Sequence, residues 1–217
     1  MSRVKWQRAR QPEQKQQRRQ DILDAAAGLF DERGFEGVSL NAIARHAGLA
    51  KSNLYRYFGS REEIFLGLLI DDYAEYVDGL DALLGPLVAT DDPAAVAAAI
   101  ASAAAARPRM CALTAVLPGV IEQNLSEDSF LAFKTHVLGV SDRIARLLRV
   151  ALPSLSIDRA YQFQRYVQAL VASLWSMSTV ASKFPRVMER PEFSRVCVDF
   201  EADLRQSVTA VLRGLLG

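Results

Sequence analysis

Two short amphipathic segments, hinged on one glycine, set the first limit on how this chain can fold. Leu40, Ile43, Ala44 and Ala47 recur at three- and four-residue spacing and fall on one face of a short helix. Gly48 follows, and a tight turn between two helices calls for a residue without a Cβ. A second short helix begins near Ala50. Leu54 and Phe58 lie four apart on its inner face, with Lys51, Ser52, Tyr55 and Arg56 opposite. A pair of helices serving only as core has no use for a small, basic and aromatic outer face. The pattern predicts a helix-turn-helix whose second helix carries donors outward.

The flanking residues extend the pattern. Ile22-Leu23-Asp24-Ala25-Ala26, Leu29-Phe30, Arg33-Gly34-Phe35, Ser39 to Gly48, Lys51 to Phe58 and Ser60-Arg61-Glu62-Glu63 together resemble the N-terminal domain of TetR/AcrR-type transcriptional regulators. The resemblance covers residues 18–66 and implies an all-α protein. A three-helix DNA-binding head, 18–63, would follow a flexible basic arm, 1–17, and precede a helical bundle for regulation and dimerisation, 64–217.

The resemblance also implies roles on the head. Lys51, Tyr55, Tyr57 and Arg61 would contact phosphates, while Ser52, Asn53 and Arg56 would face base edges. The chemistry agrees, since Asn pairs bidentately with adenine and Arg with guanine, and Ser permits close approach. Ser39 is a good N-cap whose hydroxyl could alternatively bond a phosphate. Arg45 ends the first helix of the pair and joins the DNA-facing set, and His46 beside it reads as a surface residue. Tyr57 has a structural alternative, packed against the next helix. Ala50 departs from the family, which usually places Ser or Thr there as the cap of the recognition helix.

Charge supports this division. Residues 1–61 hold 12 Lys/Arg against 6 Asp/Glu and residues 62–217 hold 14 against 19, so the net charge of +1 conceals a head at +6 and a body at −5. A basic module on an acidic body is expected if only the first part meets a polyanion. Arg3, Lys5, Arg8, Arg10 and Lys15 could reach phosphates or a minor groove, or could belong to a solvated tail.

No run reaches the roughly 18 uninterrupted apolar residues of a membrane span, and the basic N-terminus has no apolar stretch behind it, as a secretory signal would. Cys111 and Cys197 lack partner spacing, so reduced thiols are expected, with neither a zinc site nor a disulfide framework. No cofactor is expected. Gly-rich phosphate loops, His/Glu zinc spacing and a nucleophile elbow are all missing, which argues against an enzyme.

Beyond the head, the periodicity predicts helices throughout. The first helix runs from Gln14 or Arg18 to Arg33. Ser60 and Glu63 form a capping box for a long helix reaching Leu84. Asp91-Asp92-Pro93 opens an Ala-rich helix, and Met110 to Ile121 forms another, interrupted at Pro118-Gly119. Ser126 and Ser156 start two further helices, and the last begins near Pro191.

Tyr73, Met110, Leu113, Phe133, His136, Val137, Phe163, Tyr166, Trp175 and Met177 are candidates for an effector pocket, although each could be core. Two C-terminal helices would form a four-helix interface with a second copy, by resemblance, through Leu170, Leu174, Phe200, Leu204, Val208 and Val211. A core face is the alternative for either stripe.

The expectation is a cytoplasmic, homodimeric repressor, nucleoid-associated when bound to operator. It would bind a palindromic double-stranded DNA operator and be released by a small, mostly apolar effector, without a membrane partner. The alternative is a DNA-binding protein without such an effector, whose C-terminal domain docks a protein partner.

Overall fold

The computed structural model describes the backbone of residues 3–217 and the side chains from Glu13 onward. Helix α1 spans Arg3–Arg33, α2 Leu40–His46, α3 Lys51–Leu54 and α4 Arg61–Leu84. Then come α5 Pro93–Ala105, α6 Pro108–Val116, α7 Glu127–Ala151, α8 Ile157–Lys183, α9 Pro185–Met188 and α10 Phe200–Leu216. No strand occurs among the described residues.

Local capping explains most of these boundaries. Ser39 accepts from the Ala42 N–H at 3.2 Å, and Gly34 and Gly48 take positive φ at the turns that follow α1 and α2. Ser60 accepts from the Glu63 N–H at 3.1 Å, while the Glu63 carboxylate accepts from the Gly59 N–H at 2.6 Å. That is the expected capping box with its return bond displaced by one residue. Asp92, Ser126 and Ser156 cap α5, α7 and α8 in the same manner. After α6 the chain winds through a π-type turn, Leu117–Ile121, at the expected Pro118-Gly119 interruption.

Three boundaries differ from expectation. Helix α1 begins at Arg3 rather than at Gln14 or Arg18, so it runs through the segment assigned to a flexible arm. Bonds from Gln17 to Asp21 and from Gln20 to Asp24, each at 3.0 Å, support its exposed turns. Regular helix in α3 covers four residues, and turns bonded back to Leu54 carry the chain on to Phe58. The last helix starts at Phe200, because Asp199 caps it through the Ala202 N–H and its own N–H is held by Asp203. Pro191–Val196 forms only 3₁₀ turns.

One apolar core runs through head and body, with α4 as its axis. In the head, Phe65 of α4 is fully buried beneath Phe35 and Phe30, at centroid separations of 4.9 and 5.9 Å. Truncating such a ring to alanine costs about 3–5 kcal/mol. In the body, the small side chains of α5 let α10 and α4 pack closely against it. Leu204, Val208 and Leu212 of α10 are fully buried in this way.

Candidate DNA-reading face and effector cavity

Only one face of the turn-helix unit is available to a partner. Leu54 and Phe58 are buried in the head core, so Lys51, Ser52, Asn53, Tyr55 and Arg56 are exposed together. Tyr55 keeps 51% of its surface. Arg45 is exposed at the end of α2, and among the described residues Arg45, Lys51 and Arg56 form no ion pair with a carboxylate. Ala50 makes no side-chain cap, as its apolar side chain requires. The side chains of Arg3, Lys5, Arg8 and Arg10 lie outside the described residues, whereas Lys15 is exposed.

Two of the expected phosphate contacts turn inward. Arg61 lies over the Phe35 ring at 4.6 Å, donates to the Val38 carbonyl at 3.1 Å and pairs with Glu62 at 3.0 Å. Its guanidinium thus ties the start of α4 to the α1–α2 loop. Tyr57 packs part-buried against the core, its structural alternative. Arg19, which nothing in the sequence marked, does similar work from α1. It stacks on Phe58 at 4.1 Å and donates to the Tyr57 carbonyl at 3.3 Å. Burial lowers its pKa, but a guanidinium stays charged.

Between α4, α5, α6, α7 and α8 lies a cavity of about 670 Å³. Five of the ten expected pocket residues line it: Tyr73, Met110, Phe133, Val137 and Phe163. Sequence reasoning missed Tyr76, Leu80, Ile100, Thr114, Leu117, Tyr161 and Val171, which also line it. Their periodicity marked several as inward-facing, but which inward side chains meet an empty space is decided by helices far apart in sequence. Inside, the Tyr73 hydroxyl lies 3.2 Å from Thr114 Oγ1. Burial raises the pKa of both Tyr73 and Tyr76, so both phenols stay protonated. Nearer the surface, the Tyr161 hydroxyl donates to Asp142 at 2.5 Å, which raises the Tyr161 pKa, and Lys134 pairs with Glu122 at 2.7 Å.

The other five expected pocket residues are elsewhere. Leu113 is buried core. Trp175 packs edge-on against Phe200 at 5.1 Å. His136 is not a cavity residue, and its Nε2 is buried without a hydrogen-bond partner among the described residues. Tyr166 and Met177 are exposed on α8.

The expected interface residues divide similarly. Leu204 and Val208 are core, because α10 turns its apolar stripe onto α5. Leu170, Leu174, Phe200 and Val211 are part-buried at the core margin. On α8, however, Tyr166, Leu170, Ser173, Met177, Val180 and the C-cap Phe184 alternate at spacings of four and three. Apart from Leu170 all of them are exposed, Phe184 by 59%. The spacing averages 3.5 residues, the repeat that coiled-coil helices use. No single helix among the described residues is long and apolar enough to cross a membrane.

Residues 22–68 match the family described as bacterial regulatory proteins, tetR family, and residues 71–217 match that described as tetracyclin repressor-like, C-terminal domain. The chain is 36% identical over 95 residues to the HTH-type transcriptional regulator Rv1816 of Mycobacterium tuberculosis, covering 42% of this chain and 41% of that one. It is 41% identical over 83 residues to the HTH-type transcriptional repressor KstR2 of Rhodococcus jostii, covering 34% and 41%. It therefore spans about two fifths of the length of the curated relatives it matches.

Two solved structures share the fold over nearly the whole chain. A possible TetR family regulator from Streptomyces coelicolor A3(2) superposes with a TM-score of 0.59 at 16% identity, covering 91% of this chain and 98% of that one. The regulator FadR from Bacillus subtilis, in complex with stearoyl-CoA, gives 0.55 at 15%, covering 89% and 96%. With residues 22–68 and 71–217 both matched, this chain belongs to the tetR family of bacterial transcriptional regulators.

Proposed function

We propose that this protein is a repressor that binds a palindromic operator as a homodimer and leaves it when a small, mostly apolar molecule enters the cavity. The observation that carries the reading is the outer face of α3, where Lys51, Ser52, Asn53, Tyr55 and Arg56 are exposed together on a packed head. Lysine and the tyrosine hydroxyl suit phosphates, and Asn53 and Arg56 suit base edges in a major groove. The protein would act in the cytoplasm, on the nucleoid when bound.

One such helix contacts few base pairs, so a two-fold pair is needed. The seam on α8 supports pairing with a second copy, which would set two α3 helices about 34 Å apart on successive major grooves. Effector response is supported by α4, which begins in the head and lines the cavity with Tyr73, Tyr76 and Leu80. A long apolar chain, such as the one FadR of Bacillus subtilis holds in stearoyl-CoA, is one shape that a cavity of this size accommodates. The cavity favours this reading over a body that only docks a protein partner.

Selection of bound duplexes from a random DNA pool, with the purified protein at physiological salt, tests the proposal. Recovery of a palindrome is the expected result. Recovery of nothing above background overturns it and moves the basic head to another polyanion.

A further inference from the structure

Resting on the effector reading above, we infer that the cavity selects a mostly apolar molecule carrying one uncharged oxygen, which Tyr73 and Thr114 bind at the seam between α4 and α6. The two hydroxyls are 3.2 Å apart, across 41 residues of sequence, and both line the cavity. Two facing hydroxyls hold two hydrogens and share one hydrogen bond, so one O–H remains. Neither hydroxyl has another hydrogen-bond partner among the described residues. Thr114 is 3% exposed and Tyr73 half-buried, and the remaining O–H is free to donate to an acceptor in the cavity. A ligand oxygen entering the cavity can accept from it and so keep a hydrogen bond that a hydrocarbon would forfeit.

The surroundings decide the charge of that oxygen. Tyr76, Met110, Leu117 and Phe133, all apolar or neutral, line the same cavity. Of the charged residues lining the cavity, Glu122 and Lys134 pair at 2.7 Å, Asp142 accepts from Tyr161, and Asp158 and Arg165 lie on α8. A carboxylate brought to Tyr73 would meet Glu122, the carboxylate that acts on this hydroxyl, and an ammonium would meet a carboxylate already paired with Lys134. Either ion would lose its hydration without a partner, whereas a ketone, ether or alcohol loses little. The cavity's 670 Å³ corresponds to on the order of 20 non-hydrogen atoms, at roughly 30 Å³ each.

The position of the pair also suggests how occupancy is sensed. Tyr73 and Thr114 form a direct hydrogen bond between α4 and α6, and a ligand oxygen that accepts the remaining O–H extends that bond to the ligand. The helix that continues into the head then feels whether the oxygen is present.

The experiment is displacement of an apolar fluorescent dye from the full chain by five probes delivered from cyclodextrin. These are tetradecan-1-ol, tetradecan-2-one, tetradecane, tetradecanoate and tetradecylammonium. The alcohol and ketone should bind about fivefold to tenfold more tightly than the hydrocarbon, the range expected of one hydrogen bond, and more tightly than either ion. Tyr73→Phe and Thr114→Val, each near-isosteric, should abolish that advantage while leaving tetradecane affinity unchanged. The inference is overturned if an ion binds best, if the oxygen confers no advantage, or if the advantage survives both substitutions. Operator binding by the same preparation separates the two readings. A protein that selects a palindrome but shows none of these preferences is still a repressor with a different ligand, whereas one that selects no duplex fails the function itself.

Discussion

Arg109 of α6 grips both carboxylate oxygens of Asp72 on α4, with Nε 3.0 Å from Oδ2 and Nη2 2.6 Å from Oδ1. Asp72 is 5% exposed, and the remaining Nη1 stands 4.0 Å from Asp31 at the end of α1. One guanidinium thus links a cavity-lining helix to the helix entering the head and to the head itself. Two residues earlier, Arg107 donates to the Glu75 carbonyl of α4 at 2.7 Å, in a notch where a Cβ on Gly79 would lie 2.5 Å from its Nη2.

Removing the cation should therefore be costly. Arg109→Met leaves Asp72 buried and unpaired, a change expected to destabilise the fold by about 3 kcal/mol in urea unfolding. Replacing both residues, Arg109→Met with Asp72→Leu, should recover most of that loss, because no uncompensated charge remains. If the double variant is as unstable as the single one, the pair is not the source of the effect.

On the reading helix, two substitutions should behave differently. Arg56→Ala should lose about 1–3 kcal/mol on the selected operator and relax preference at one position of each half-site. Lys51→Ala should weaken all duplexes alike and reduce the salt slope by about 1. Titrations at several salt concentrations on specific and scrambled duplexes separate the two. Variants that bind like the parent would move the reading face away from α3.

Arg61 gives a contrasting case. Because it stacks on Phe35 and bonds the Val38 carbonyl, Arg61→Ala should lower stability by about 1–2 kcal/mol. The salt slope of DNA binding should stay close to that of the parent. A slope reduced by about 1 with unchanged stability would return Arg61 to the phosphate-contacting set.

The α8 seam predicts the state of assembly. Met177→Glu and Val180→Arg place charges at exposed positions, so each monomer should keep its fold while self-association weakens by at least tenfold in sedimentation. Dimers of undiminished strength would show that the seam is not the interface.

The two thiols should differ in reactivity and in their effect on alkaline stability. Cys197 is exposed, whereas Cys111 is buried, and burial, with the Asp72 charge second, pushes its thiol up to about 12. A thiol reagent at pH 8 should modify Cys197 quickly and Cys111 only on unfolding. Because the folded thiol holds its proton to higher pH than the unfolded one, its contribution is present below about pH 9 and declines toward pH 12. Tyr73 and Tyr76 act in the same direction. Urea midpoints measured from pH 8 to 11 should fall, and less steeply in Cys111→Ala.

What the sequence determined by itself was local: the turn at Gly48, the caps at Ser39, Ser60, Asp92, Ser126 and Ser156, and the exposed donors of α3. These signals act within one or two turns, so residue type and spacing are enough to read them. The destinations of apolar side chains were decided only in the tertiary structure. Periodicity marked Leu204, Val208, Tyr166 and Met177 as members of apolar stripes, yet the first two are core and the last two are exposed. Likewise, Tyr73 and Phe133 line the cavity while Leu113 is buried in the core and Trp175 packs at its margin. Burial of an apolar face is non-directional, so a stripe requires only that something cover it. Which helix does so, and where the helices leave space, depends on how distant segments pack together.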